Sequence, residues 1–492
     1  MMARELLIGL DVGTTRACAL VVDGAGGVRG RADRALECSF PAAGWVEQDP
    51  RSLWESSLAV LRQVLAEAGA SARDVAGLGV ATQRSTVLAW DAQSGEALAP
   101  AIGWQDQRTA ARAAELQARG VPMPVQASAT KLEWLLQNQS GVAAAARAGR
   151  LRLGTPDVWL TDRLTGGSRF VTDPSCASAT GLYDSRSGSW MEPVVALFGV
   201  PGEALPEVVA TAEVVAETPG DLLGAPVPVA ARVGDQQSAC FAQGVHHAGE
   251  AKLTLGTAAM LEVHTGETLQ QAGPGAHALA LWRLPETAMQ YCVESSVHTA
   301  GAVVEWLVEI GLLPDAASLD RVAREVGDAE GVVFVPSLQG LGTPYLDDAA
   351  RGLIGGLTRG STAAHLVRAA VEGLAQRCVD LCEASGLGAV PLRVDGGLAR
   401  SELLLQTLAD LGGRAIHRAR DFDTTALGAA QLAGLATGAF ASLADCRARL
   451  AAPLGFEPAL DEGVRAERRG RWAEAIARTR GVAGCHEMPL VP

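Results

Sequence analysis

The chain has no run of apolar residues long enough to span a bilayer, no pair of close cysteine clusters spaced for zinc, and no excess of basic charge. Each absence removes a class. A spanning helix needs about 20 consecutive apolar residues, so none is expected. Asp11 interrupts the apolar run that ends at Leu10, and no secretory leader is read at the N-terminus. Nine cysteines, scattered and odd in number, with only Cys378 and Cys382 close together, fit reduced thiols and a cytoplasmic protein. The formal net charge of -14 argues against a polyanionic partner, because nucleic-acid binders display a basic field. Two common nucleotide-binding signatures are missing as well, the lysine-ended phosphate loop and the strand-linked G-x-G-x-x-G turn.

What is present points to a large two-part α/β chain. At 492 residues and 48% hydrophobic it can bury more than one core, and strand-like runs alternate with helix-like ones. The clearest helix is expected from a cap at Ser361 or Thr362 to a stop at Gly386. The segment 447 to 480 carries eight arginines among glutamates and reads as a solvated terminal helix.

Two hairpins echo each other. "LDVGTTRACALVVD" (10 to 23) and "AKLTLGTAAMLEV" (251 to 263) both run from apolar strand through a Gly-Thr turn into a second apolar strand. Such turns offer amides and hydroxyls to phosphate oxygens, and Asp11 could hold a Mg²⁺, although a plain hairpin connection is the simpler reading of either turn alone. The repeat suggests two related domains, divided here as 1–244 and 245–492, with a ligand cleft between them.

Three further segments carry chemistry. "VPVAARVGDQQSACFAQG" is a strand running into Asp235 at a helix start, where a carboxylate serves as a helix cap, a general base, or both. "LRVDGGLARSELLLQTLADLGG" is strand, Gly-Gly turn and helix, with Ser401 in the first helical turn. There Gly396 and Gly397 either make the turn or leave room for a flat nucleoside. "ATQRSTVLAWDAQSGEALAPAIGWQDQRT" offers Arg84 to hydroxyl groups and Trp104 to a carbon chain.

These segments, with "SATKLEWLL", "GTPDVWL", "VTDPSCASATGLYD", "GTPYLDDAARGLIGGLTRG" and "TALGAAQLAGLATG", are collinear with the FGGY family of carbohydrate kinases, and the chain most resembles its glycerol kinases. The resemblance implies the two-domain actin-like, hexokinase-like (ribonuclease H-like) ATPase fold with an interdomain cleft, closing on ATP and Mg²⁺. It implies phosphorylation of a terminal hydroxyl of a polyol or sugar in a homo-oligomer, dimer or tetramer. By the same resemblance Asp235 is the catalytic base and Gln236 a substrate ligand beside Arg84, Ser85, Trp104 and Gln126. Thr14, Thr15, Gly256 and Thr257 would hold phosphates, Gly301, Glu305, Gly397 and Ser401 the nucleoside, and Asp11 the metal.

The pattern also departs from that of glycerol kinases. Ser85 replaces a glutamate, Gln126 a tyrosine and Met260 a phenylalanine, which implies a longer polyol or a ketose as acceptor. Glu305 and Ser401 replace a glutamine and an asparagine. Arg16 stands two residues before Cys18, where an arginine is expected, and is read as its substitute at the phosphates. Residues 214 to 233 lack the glycine-rich basic loop that binds a phosphorylated sugar effector. Two other readings stay open: a non-catalytic relative that keeps the fold, and an actin-type or chaperone-type ATPase acting on a protein.

Overall fold

The computed structural model describes residues 5–420 and 423–482. The chain forms two compact units. The first comprises Met1–His246, Leu279–Tyr291 and Asp423–Leu450; the second comprises His247–Ala278, Cys292–Phe422 and Ala451–Pro492. The expected cut at 244/245 therefore lies close to one crossing point, but a single cut does not describe the molecule, because Asp423–Leu450 returns to the first unit.

A six-stranded sheet organises the first unit. Its order is Ala212–Glu217, Pro228–Gly234, Val75–Thr82, Leu6–Val12, Arg16–Asp23 and Val28–Ala35. The three central strands, Pro228–Gly234, Val75–Thr82 and Leu6–Val12, run parallel; Ala212–Glu217 and Arg16–Asp23 pair antiparallel on either side, and Val28–Ala35 pairs antiparallel with Arg16–Asp23. Central strands read as unbroken apolar runs because both faces are covered, and Leu7, Ile8, Leu10 and Val12 are all fully buried. Helix Pro50–Glu67 contributes Leu53, Val60, Leu61 and Val64 to a core shared with Ile8, Leu10, Leu78, Val80 and the tryptophans Trp90 and Trp159.

The return segment explains the split units. Helix Thr424–Thr437 lies so close to this sheet that a Cβ on Gly9 would stand 1.8 Å from the Ala426 carbonyl oxygen, and one on Gly79 2.0 Å from that of Ala429. Glycine is required at both positions. The helix therefore packs where the sheet has no side chains, and the chain must return to reach that place.

In the second unit the strands Ala259–Gly266, Ala251–Leu255, Leu392–Asp395, Ile416–Arg418 and Leu454–Phe456 are sheet neighbours in that order. Its antiparallel hairpin at 251–266 beside the parallel strand Leu392–Asp395 repeats the arrangement at 6–23 beside Val75–Thr82. Helix Ala363–Ala384 begins after Thr362 and ends before Gly386 in a left-handed conformation, as its pattern predicts.

The arginine-rich C-terminal segment differs from its expectation. It is helix Leu443–Ala448, strand Leu454–Phe456 and helix Glu462–Val482. Pro453 and Pro458 divide it, since proline cannot continue a helix interior. One face of the last helix is also not solvated. Trp472 is buried and donates its indole N–H to Asp380, and Arg469 pairs with Asp380 at 2.8 Å.

Candidate active site

Three parallel strands end in register in the first unit, with Thr82 opposite both Val12 and Gly234. Open α/β sheets bind ligands beyond the carboxyl ends of such strands. Asp11 precedes the first end and leads into Gly13 and Thr14. Gln83, Arg84 and Ser85 follow the second, and Asp235 and Gln236 the third. Sheet topology thus gathers residues as distant in sequence as Asp11 and Asp235.

Asp235 is the first residue of helix Asp235–Ala242, with Gly234 in the cap position. It is therefore not the cap itself. Its Oδ1 accepts the Gln236 N–H at 2.8 Å, and Arg84 Nε lies 3.5 Å from the same oxygen. A helix N-terminus and a neighbouring guanidinium both favour an ionised carboxylate. Gly234 N–H donates to Ser175 Oγ at 2.8 Å, and that hydroxyl is held by Asp173, which is fully buried. Asp235 is thus mounted on a braced strand end.

Asp11 stands in a different state. Its Oδ1 is buried without a hydrogen-bond partner. Burial, with the Asp235 charge adding to it and Arg16 opposing, pushes its carboxyl up to about 8. Two neighbouring acids, one with an unsatisfied oxygen, form a donor set that suits a hard divalent cation such as Mg²⁺.

Thr14 is locked into a ring of hydrogen bonds. Its hydroxyl donates to Gln83 Oε1 at 3.0 Å, Gln83 Nε2 donates to Gln48 Oε1 at 2.7 Å, and Gln48 Nε2 donates back to the Thr14 carbonyl at 2.7 Å. Trp104 Nε1 donates to the Thr14 hydroxyl at 3.0 Å, so the tryptophan at 104 is joined directly to the turn. Thr15 is exposed beside it. Ser85 adopts a left-handed φ of 63° and turns its hydroxyl to the Ala179 carbonyl, while Gln126 is exposed and Gln236 half-buried.

Arg16 is placed otherwise than its role as a phosphate ligand requires. Its guanidinium pairs with Asp423 at 2.6 Å, and Arg31 pairs with the same carboxylate. Cys18 is buried opposite Asp11 in the strand pair.

In the second unit the turn at Gly256 and Thr257 receives the start of helix Gly301–Glu309. Gly301 N–H donates to the Gly256 carbonyl and Ala300 N–H to that of Thr257, both at 2.8 Å. A Cβ on Gly301 would stand 2.8 Å from the Gly256 oxygen. Gly396, at a φ of 92°, backs onto Leu255, whereas Gly397 faces open space. The two glycines divide the work, one for the turn and one for room. Met260 lies on the strand after the turn, and Glu305 is exposed on its helix.

Ser401 corrects an expectation. It precedes helix Glu402–Gly412 as its cap, accepts the Leu404 N–H at 3.1 Å and donates to Asp320. Its hydroxyl is committed to the fold.

Sequence reasoning missed the residues that brace these groups. Gln48 carried no local signal. Asp173, in Asp-Pro-Ser, carried that of a helix cap, and it caps helix Pro174–Ser178. Lys131 stands inside "SATKLEWLL" with nothing nearby to mark it.

Comparison with known proteins extends the match to the whole chain. The model of the FGGY family of carbohydrate kinases, N-terminal domain, matches residues 6–242, and that of the C-terminal domain matches residues 251–437. A glycerol kinase of Bordetella parapertussis is 40% identical, covering 98% of each chain, and one of Aromatoleum aromaticum is 42% identical over 96% of this chain and 99% of its own. The crystal structure of Plasmodium falciparum glycerol kinase with ADP superposes with a TM-score of 0.90 at 27% identity, covering 96% of this chain and 98% of that one. A xylulose kinase from Rhodospirillum rubrum gives 0.83 at 26% identity, covering 97% and 100%. With both domain models matched in order, this chain belongs to the FGGY family of carbohydrate kinases.

Proposed function

We propose that the protein transfers the γ-phosphoryl group of ATP to a terminal hydroxyl of a small polyol or sugar, with Asp235 as general base. The observation that carries this reading is the placement of Asp235 at a helix N-terminus, at the end of the strand beside the one leading to Arg84, which in turn lies beside the one leading to Thr14. A hydroxyl acceptor loses its proton late in a loose phosphoryl transfer, so an ionised carboxylate of low basicity suffices to orient and receive it. Arg84, 3.5 Å from Asp235, would hold an acceptor hydroxyl against that carboxylate, and Trp104 and Gln236 would flank the carbon chain. The turns at Thr14–Thr15 and Gly256–Thr257 would each offer amides to phosphate oxygens, with Gly301 and Gly397 leaving backbone open on the nucleoside side.

Asp11 would hold Mg²⁺, whose chemistry there is neutralisation of phosphate charge. Arg16 and Ser401 are left out of the ligand set because Asp423 and Asp320 occupy them.

Within the acceptor class, the neutral Ser85 and Gln126 favour a longer polyol or a ketose over glycerol. A coupled ADP-release screen over glycerol, tetritols, pentitols and ketoses tests both statements. Turnover with one of the longer acceptors is expected; glycerol far above all of them would overturn the acceptor assignment.

A further inference from the structure

The chain contains only two lysines, Lys131 and Lys252, and uses arginine for its other long basic side chains. Both are fully buried. A sequence so biased towards arginine keeps lysine where a compact three-donor ammonium fits and a planar fork does not. Lys131, on helix Ser128–Asn138, shows why. Its Nζ donates to three backbone carbonyls, those of Gln126 at 2.9 Å, Ser85 at 3.1 Å and Trp104 at 3.3 Å.

These carbonyls belong to three separate segments, and each segment presents a residue to the site. Ser85 follows Arg84, which faces Asp235; Trp104 is bonded to the phosphate turn through Thr14. Ser85 also holds a left-handed φ that a residue with a side chain adopts only when its surroundings impose it. Its carbonyl bond to Lys131 and its hydroxyl bond to Ala179 are those constraints.

We propose that Lys131 is the positioning residue of the acceptor pocket, its one ammonium fixing the backbones at 85, 104 and 126 relative to each other and so setting acceptor affinity. The lysine touches no substrate. It acts through Arg84 and Trp104. Burial pushes its amine down to about 7, with Asp106 opposing and Arg108 adding to the shift, while three accepting carbonyls suit the charged form. The inference rests on the acceptor site proposed above.

Steady-state kinetics of Lys131→Met, with the acceptor that gives the highest wild-type ADP release, tests it. The acceptor KM is expected to rise roughly tenfold or more, because small misplacements of positioning groups are costly, while ATP KM and the affinity for ADP stay within about twofold. An unchanged acceptor KM, or an ATP KM that rises in step with it, overturns the proposal. Should Lys131→Met fail to fold, Lys131→Arg decides by the same split, since it keeps the charge but not the three-point geometry. Absence of acceptor-dependent ADP release in the wild type would instead refute the function, not the role of Lys131.

Discussion

At the scale of single residues, the candidate site divides into groups proposed to meet a ligand and groups that hold them in place. The position of Asp235 between a strand end and a helix start was legible, because an apolar strand runs directly into it and a helical pattern follows. Its mechanism fixes an expectation: Asp235→Asn should lower kcat by about 10² to 10⁴-fold and leave nucleotide affinity nearly unchanged, measured by turnover and by ADP titration. Arg16 gives the opposite expectation. With its guanidinium on Asp423, Arg16→Ala should leave ATP affinity within about threefold, as partly exposed ion pairs contribute little; a tenfold loss would restore the compensation for Cys18. Ser401→Ala should cost about 1 kcal/mol of stability through the lost cap, read by denaturant unfolding, with no selective effect on nucleotide binding. Lys131 and Gln48 could not be read from sequence. Apart from the Gln126 carbonyl close to Lys131, their partners are the Ser85, Trp104 and Thr14 carbonyls and the Gln83 side-chain amide, contributed by distant segments that no local pattern encodes.

At the scale of elements, the hairpins, the Asp235 strand-helix and the helix after Thr362 follow from hydrophobic period and end signals that act within a few residues. The arginine-rich segment did not follow, because charge composition hid Pro453 and Pro458 and the burial of Trp472. Contact between helix Thr424–Thr437 and its sheet yields a direct check. Gly79→Ala drives a methyl group into the Ala429 carbonyl, and a loss of about 3 kcal/mol is expected in chemical denaturation, the upper end of ordinary overpacking.

Helix Pro156–Leu164 supplies a pH dependence. Burial, opposed by hydroxyls of Thr155 and Thr172, raises the Asp157 carboxyl from 3.8 to about 6. A raised folded-state value means that the contribution is complete below about pH 4 and is lost as pH rises through about 6. Stability of the wild type relative to Asp157→Asn should therefore fall by an amount on the order of 3 kcal/mol between those limits.

At the scale of the molecule, the repeat of a Gly-Thr hairpin suggested two related units, and each unit carries one such hairpin beside a parallel strand. Their true composition was not legible. Asp423–Leu450 joins the first unit because Gly9 and Gly79 leave backbone bare for a helix that arrives much later in the chain, and no local pattern reports where a chain returns. The central claim concerns the whole protein: ATP is consumed only when a polyol or sugar hydroxyl is there to receive the phosphoryl group. The most direct measurement follows ADP and phosphorylated acceptor together in one reaction with Mg²⁺ and the best acceptor of the screen. Equal amounts of the two products, both abolished when the acceptor is omitted, are the expected result. ADP formation indifferent to every polyol and sugar, with inorganic phosphate as its partner, would contradict it.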